Sequence, residues 1–71
     1  MTVWVVRRSS GDIVFKDSKD AFAKAKEYLM NEVECDEIVE TVINDGLVCF
    51  EGSFVHHLGV VKIYCLRQEV K

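Results

Sequence analysis

Cysteine is scarce in this chain: there are three, Cys35, Cys49 and Cys65. An odd number at wide, irregular gaps excludes a disulfide framework. No charged leader precedes an apolar stretch and no apolar run is long enough to cross a bilayer, so neither a signal peptide nor a transmembrane helix is expected. Free thiols and no export signal together predict cytoplasmic residence. The four glycines, Gly11, Gly46, Gly52 and Gly59, stand alone at turns, which excludes a glycine-rich phosphate loop. C-x-x-C and H-x-x-x-H spacings are missing, and adjacent His56 and His57 would point to opposite faces of a strand. No metal or other cofactor is therefore expected. A Cys–His nucleophile lacks an orienting third group. The carboxylates look solvated, whereas an acid–base pair needs environments that separate two pKa values. The sequence predicts a protein that is not an enzyme.

What remains is enough for one domain, residues 1–71. With 71 residues and 49% hydrophobic content the chain should fold, but as a small domain that benefits from oligomerisation. Residues 2–8 are β-branched and aromatic and read as a strand. A turn at Ser9-Ser10-Gly11-Asp12 leads to a second strand at Ile13-Val14-Phe15. Asp17 or Ser18 caps a helix, and Asp20 pairs with Lys24 one turn on. Ala21, Phe22, Ala25, Tyr28, Leu29 and Val33 form its apolar stripe, and the helix frays near Asn31. Trp4 reads as a core or dimer-interface residue, Tyr28 as part of the helix stripe and Tyr64 as an interface aromatic. Strands follow over 37–43, 47–50 and 60–67, with Phe54 to His57 either extending a strand or forming a loop. The predicted class is α+β: a single antiparallel-rich sheet in the order β-β-α-β-β-β with one helix packed on one face.

Asn44-Asp45-Gly46 signals a hairpin. A type I′ turn at Asp45-Gly46 pairs Ile43 with Val48, Val42 with Cys49, Thr41 with Phe50 and Glu40 with Glu51. That register puts Val39, Thr41, Ile43, Val48 and Phe50 on the core face. It leaves Ile38, Val42, Leu47 and Cys49 on the opposite face, which is also apolar. The last strand repeats the pattern, with Val60, Tyr64 and Leu66 on one side and Val61, Ile63 and Cys65 on the other. A solvated sheet face is normally polar, and one helix cannot cover both faces. A homodimer built on Ile38, Val42, Leu47, Cys49 and Tyr64 is the expected remedy.

The net charge of −3 conceals an asymmetry. Residues 1–26 hold six basic and three acidic side chains; residues 27–61 hold eight acids and no Lys or Arg. The tail, with Lys62, Arg67 and Lys71 against Glu69, is basic again. Glu32, Glu34, Asp36, Glu37, Glu40, Asp45 and Glu51 are the candidate partner-binding patch. In the inferred register Glu40 also faces Glu51, a like-charge pair that costs stability. Charge runs often only solvate a surface, and the basic helix could fold over the acids. Alternatively, the carboxylates resemble a row of phosphates and dock on a basic stripe made for nucleic acid. Direct binding of DNA or RNA is not expected, because the basic residues of 1–26 are interleaved with acids and lack an aromatic-rich motif. Membrane binding is not expected either.

The opening, with Val3-Trp4-Val5-Val6, a short turn, Val14-Phe15, then Ser18 and a helix bearing Ala21 and Ala25, resembles that of many small phage and bacterial proteins. Size and acidity are similar to those of early phage proteins that disable host machinery, some by imitating DNA and blocking nucleoid-associated proteins. The resemblance covers about the first 30 residues and carries no functional residue across. It implies host inhibition by binding. The leading expectation is thus a non-catalytic protein whose residues 32–51 dock on a basic, nucleic-acid-binding host protein. The alternative is a structural or assembly module that binds through the apolar second face of its sheet.

Overall fold

The two ends of the chain meet in the middle of the sheet. In a computed structural model, which describes residues 1–70, strand β1 (Thr2–Arg8) pairs antiparallel with the last strand, β5 (Val60–Glu69). Strand β2 (Gly11–Phe15) folds back on β1, while β3 (Glu37–Asn44) and β4 (Leu47–Ser53) form a hairpin that joins through β4 to β5. The result is one five-stranded antiparallel sheet in the order β2-β1-β5-β4-β3. One helical segment crosses it, so the fold is α+β in the predicted element order. Lys71, counted above in the basic tail, lies outside the described residues.

Helix α1 (Ser18–Glu27) starts where Asp17, in extended conformation, accepts a 2.9 Å hydrogen bond from the Lys19 N–H and so satisfies a first-turn donor. Lys24 pairs at 3.2 Å with Glu27 and not with Asp20. Beyond Glu27 the helix widens into a π turn, Tyr28–Glu32, close to the predicted fraying point. The wider turn keeps Leu29 over the sheet while Tyr28 turns its hydroxyl to Ser9, 3.0 Å away. The apolar stripe lands as its spacing predicts: Ala21, Ala25 and Leu29 are fully buried, with Phe22, Tyr28 and Val33 packed around them. Below them lie Val6, Val48, Phe50, Ile63 and Cys65. Phe22 joins the layers, its ring 5.2 Å from Trp4 and 5.5 Å from Phe50.

The hairpin departs from the expected geometry. Positive φ occurs at Gly11, Glu34 and Gly59 and not at Asp45 or Gly46, so the turn is not type I′. Instead the Asn44 side chain accepts a 2.8 Å bond from the Gly46 N–H, an Asx turn. Asn44 faces Leu47, but a bulge between Val42 and Asn44 absorbs Ile43 and moves the ladder by one residue. Val42 then faces Val48, Thr41 faces Cys49 and Glu40 faces Phe50. A one-residue slip exchanges the two sides of a strand. Ile38, Glu40 and Val42 consequently lie on the helix side, and Val39 and Thr41 on the open side, the reverse of the predicted arrangement. On β5 the prediction stands: Val61, Ile63 and Cys65 face the helix, opposite Gly52, Phe50 and Val48.

Candidate partner-binding surfaces

The shifted register removes the Glu40–Glu51 confrontation. Glu51 lies on the open side opposite Lys62 and pairs with it at 3.8 Å. Glu40, on the helix side, receives Lys26 from α1 at 3.8 Å. Asp36 is also engaged: its carboxylate accepts from the Val55 N–H at 2.8 Å, and its own N–H donates to Ser53 O at 2.9 Å. Asp45 sits on the hairpin turn, at the far end of β3 from Asp36. The predicted seven-residue patch is thus divided. Glu32, Glu34, Asp36 and Glu37 gather where the π turn meets β3, all exposed, with no cation within ion-pair distance among the described residues. Glu40, Glu51 and Asp45 stand apart from them.

The five residues expected to share a dimer face do not share one. Leu47, Cys49 and Tyr64 are on the open side, but Ile38 and Val42 are on the helix side, because the bulge at Ile43 inverts β3. The open side is nevertheless apolar along its middle. Val14, Val5, Leu66 and Leu47 stand opposite one another in a row across four strands. A second row runs Arg7, Tyr64, Cys49 and Thr41. Val5 and Cys49 are buried by their neighbours, whereas Val14, Val60 and Tyr64 are exposed to 60%, 52% and 37%, large values for apolar side chains held on a rigid sheet. Arg7 with Asp12, at 3.9 Å, and Glu51 with Lys62 border this strip with paired charge. Of the exposed members, Tyr64 was expected on this side from the sequence; Val14, on the short strand β2, was not.

His56 and His57 lie in the loop between β4 and β5 and not on a strand. His57 stacks on Phe54 at 4.2 Å. Val55 and Leu58 project beside them, 75% and 101% exposed. The thiols are spread out. Cys65 is fully buried, and burial, followed by the charges of Cys49 and Glu40, pushes its pKa up to about 11. Cys35 is half-buried and is also raised, by burial and then by Asp36. Among the described residues no group of His, Cys, Asp and Glu has metal-binding geometry, no cavity opens, and no helix is long and apolar enough to cross a membrane. No family model matches the chain, and comparisons with curated proteins and with solved structures return no match.

Proposed function

We propose that this chain is a non-catalytic protein-binding module of the reducing cytoplasm that docks a protein partner on the open side of its sheet. The observation that carries this reading is the uncovered apolar strip of Val14, Leu66, Leu47 and Tyr64, bordered by paired charges, with Val60 exposed on the same side beyond the Glu51–Lys62 pair. Apolar surface held on a rigid sheet and rimmed by polar groups is the usual form of a protein interface. The ion pairs at the rim fix orientation and contribute little energy.

A second reading is supported by the acidic corner. Glu32, Glu34, Asp36 and Glu37 concentrate negative charge without a neutralising cation within ion-pair distance among the described residues. Such a corner attracts a basic partner, including a nucleic-acid-binding host protein of the kind the phage-like opening implies. The dispersal of Glu40, Glu51 and Asp45 leaves it a local patch and not a row of phosphate-like charges.

Capture of partners from a bacterial lysate at low and high salt separates the two. The first reading expects a partner that survives high salt and is lost when Val14→Lys and Val60→Lys are combined. The second expects a partner that is lost with salt and with the set Glu32→Gln, Glu34→Gln, Asp36→Asn and Glu37→Gln. A partner indifferent to both variants would overturn both.

A further inference from the structure

Strand β3 closes the sheet on one side, and β4 is its one strand neighbour among the described residues. The direction of its backbone groups follows from a single bond. The Arg67 N–H donates to Gly46 O at 2.8 Å, which makes Leu47 and Leu66 a non-hydrogen-bonded pair. Alternation from there turns the N–H and C=O groups of Cys49 and Glu51 toward β3, where they meet Thr41 and Val39. The N–H and C=O groups of Ile38, Glu40 and Val42 therefore point outward, a row of unpaired donors and acceptors on an exposed strand. The flanking side chains are β-branched: Val39 is 49% and Val42 65% exposed. The opposite edge differs, because β2 is five residues long and begins with Gly11 and Asp12.

We infer that β3 pairs antiparallel with β3 of a second copy, extending the sheet across a two-fold axis at Glu40. Centring the pair on Glu40 uses all three outward-facing residues, Ile38, Glu40 and Val42, and stops short of the bulge at Ile43. Ile38 then meets the partner's Val42, and Val39 meets the partner's Thr41, so that β-branched side chains face each other on both sides of the new ladder. Charge selects the direction. In a parallel arrangement Asp36 and Glu37 would stack on the same residues of the partner, whereas the antiparallel arrangement sends the two acidic corners to opposite ends. At the axis each Glu40 keeps its own Lys26 at 3.8 Å, so two ion pairs meet there and not two bare carboxylates. The pairing leaves Val14, Val60 and Tyr64 uncovered, so it stands or falls separately from partner binding on the open side.

The test measures the mass of the full chain by sedimentation over a wide concentration range, with amide hydrogen exchange at both extremes. The expected result is a monomer–dimer equilibrium in which the Ile38, Glu40 and Val42 amides exchange about tenfold more slowly, or slower still, in the concentrated sample. Val42→Pro removes a donor that the monomer does not use and should abolish the dimer while leaving the fold intact. The combined Val14→Lys and Val60→Lys variant should still dimerise. A chain that stays monomeric overturns the inference. So does a dimer whose three outer amides gain no protection, and that readout needs no variant. A dimer lost through the open-side variant but kept by Val42→Pro would place the contact on the sheet face and also overturn it.

Discussion

The thiol of Cys35 rests directly against Gly52, in the space that a side chain at position 52 would occupy. A methyl group there would also meet the Cys35 β-carbon at 3.0 Å and a Leu29 methyl at 3.3 Å. Strand β4 thus approaches the turn after the helix closely because it lacks a side chain at that point. Gly52→Ala should destabilise the domain by about 1–3 kcal/mol, the usual range for overpacking. Cys35→Ala removes the sulfur from that space, so the double variant should recover most of the loss. A urea-unfolding cycle over the four proteins checks this; purely additive costs would count against steric conflict as the cause.

Cys65 sets a pH dependence in the alkaline range. Its pKa rises from the ordinary 9.0 to about 11 in the folded protein, chiefly through burial. Well below pH 9 the thiol is protonated in both states and the full stability is present. Between the two values the unfolded chain releases a proton that the fold retains, so stability falls as pH rises, by on the order of 2 kcal/mol. Chemical denaturation from neutral pH to about pH 11, compared with Cys65→Ala, should show a shallower decline in the variant. Identical slopes would remove Cys65 as the source.

The helix and its buried stripe were legible because Ala21, Ala25 and Leu29 repeat along one side, and the strands because β-branched and aromatic runs are bounded by turn residues. The sides of β3 were not legible. Ile38 and Val42 on one side and Val39 and Ile43 on the other give no apolar–polar alternation to fix a register. The decision then passes to the turn. There Asn44 bonds the Gly46 N–H, and the strand absorbs Ile43 as a bulge, so the Asp-Gly signal located the hairpin but not its geometry. The acidic patch was divided by strand pairing. Its seven members are close in sequence, but the inverted strand sent Glu40 to Lys26, and the sheet brought Lys62 to Glu51.

Phe50 and Val42 share the helix side of the sheet but differ in cover. Phe50 is fully buried beneath Phe22, whereas Val42 lies beyond the reach of the helix and is 65% exposed. Phe50→Ala should cost about 3–5 kcal/mol, enough to leave so small a domain largely unfolded at ambient temperature. Val42→Ala should stay within about 0.5 kcal/mol of the parent, as surface changes do. Thermal unfolding at low concentration measures both. A large loss at Val42 would mean that the helix side extends further than the packing shows.

Glu34 is the one non-glycine residue held at positive φ among the described residues, at 59°. The left-handed conformation brings a β-carbon close to the following carbonyl, and glycine avoids that contact. The position also lies among Glu32, Asp36 and Glu37, so replacing Glu34 changes backbone strain and charge repulsion together. Three variants separate the two effects. Glu34→Gly removes both and should stabilise the domain by roughly 1 kcal/mol. Glu34→Gln keeps the strain and removes the charge, and Glu34→Ala does the same with a smaller side chain. If strain dominates, only the glycine variant gains, and its gain is insensitive to salt. If repulsion dominates, all three gain, and added salt erases the difference from the parent. The φ value favours the first outcome. In that case the turn joining helix to β3 holds its strained geometry with a carboxylate kept outward, and the acidic corner can be neutralised without altering the fold that carries it.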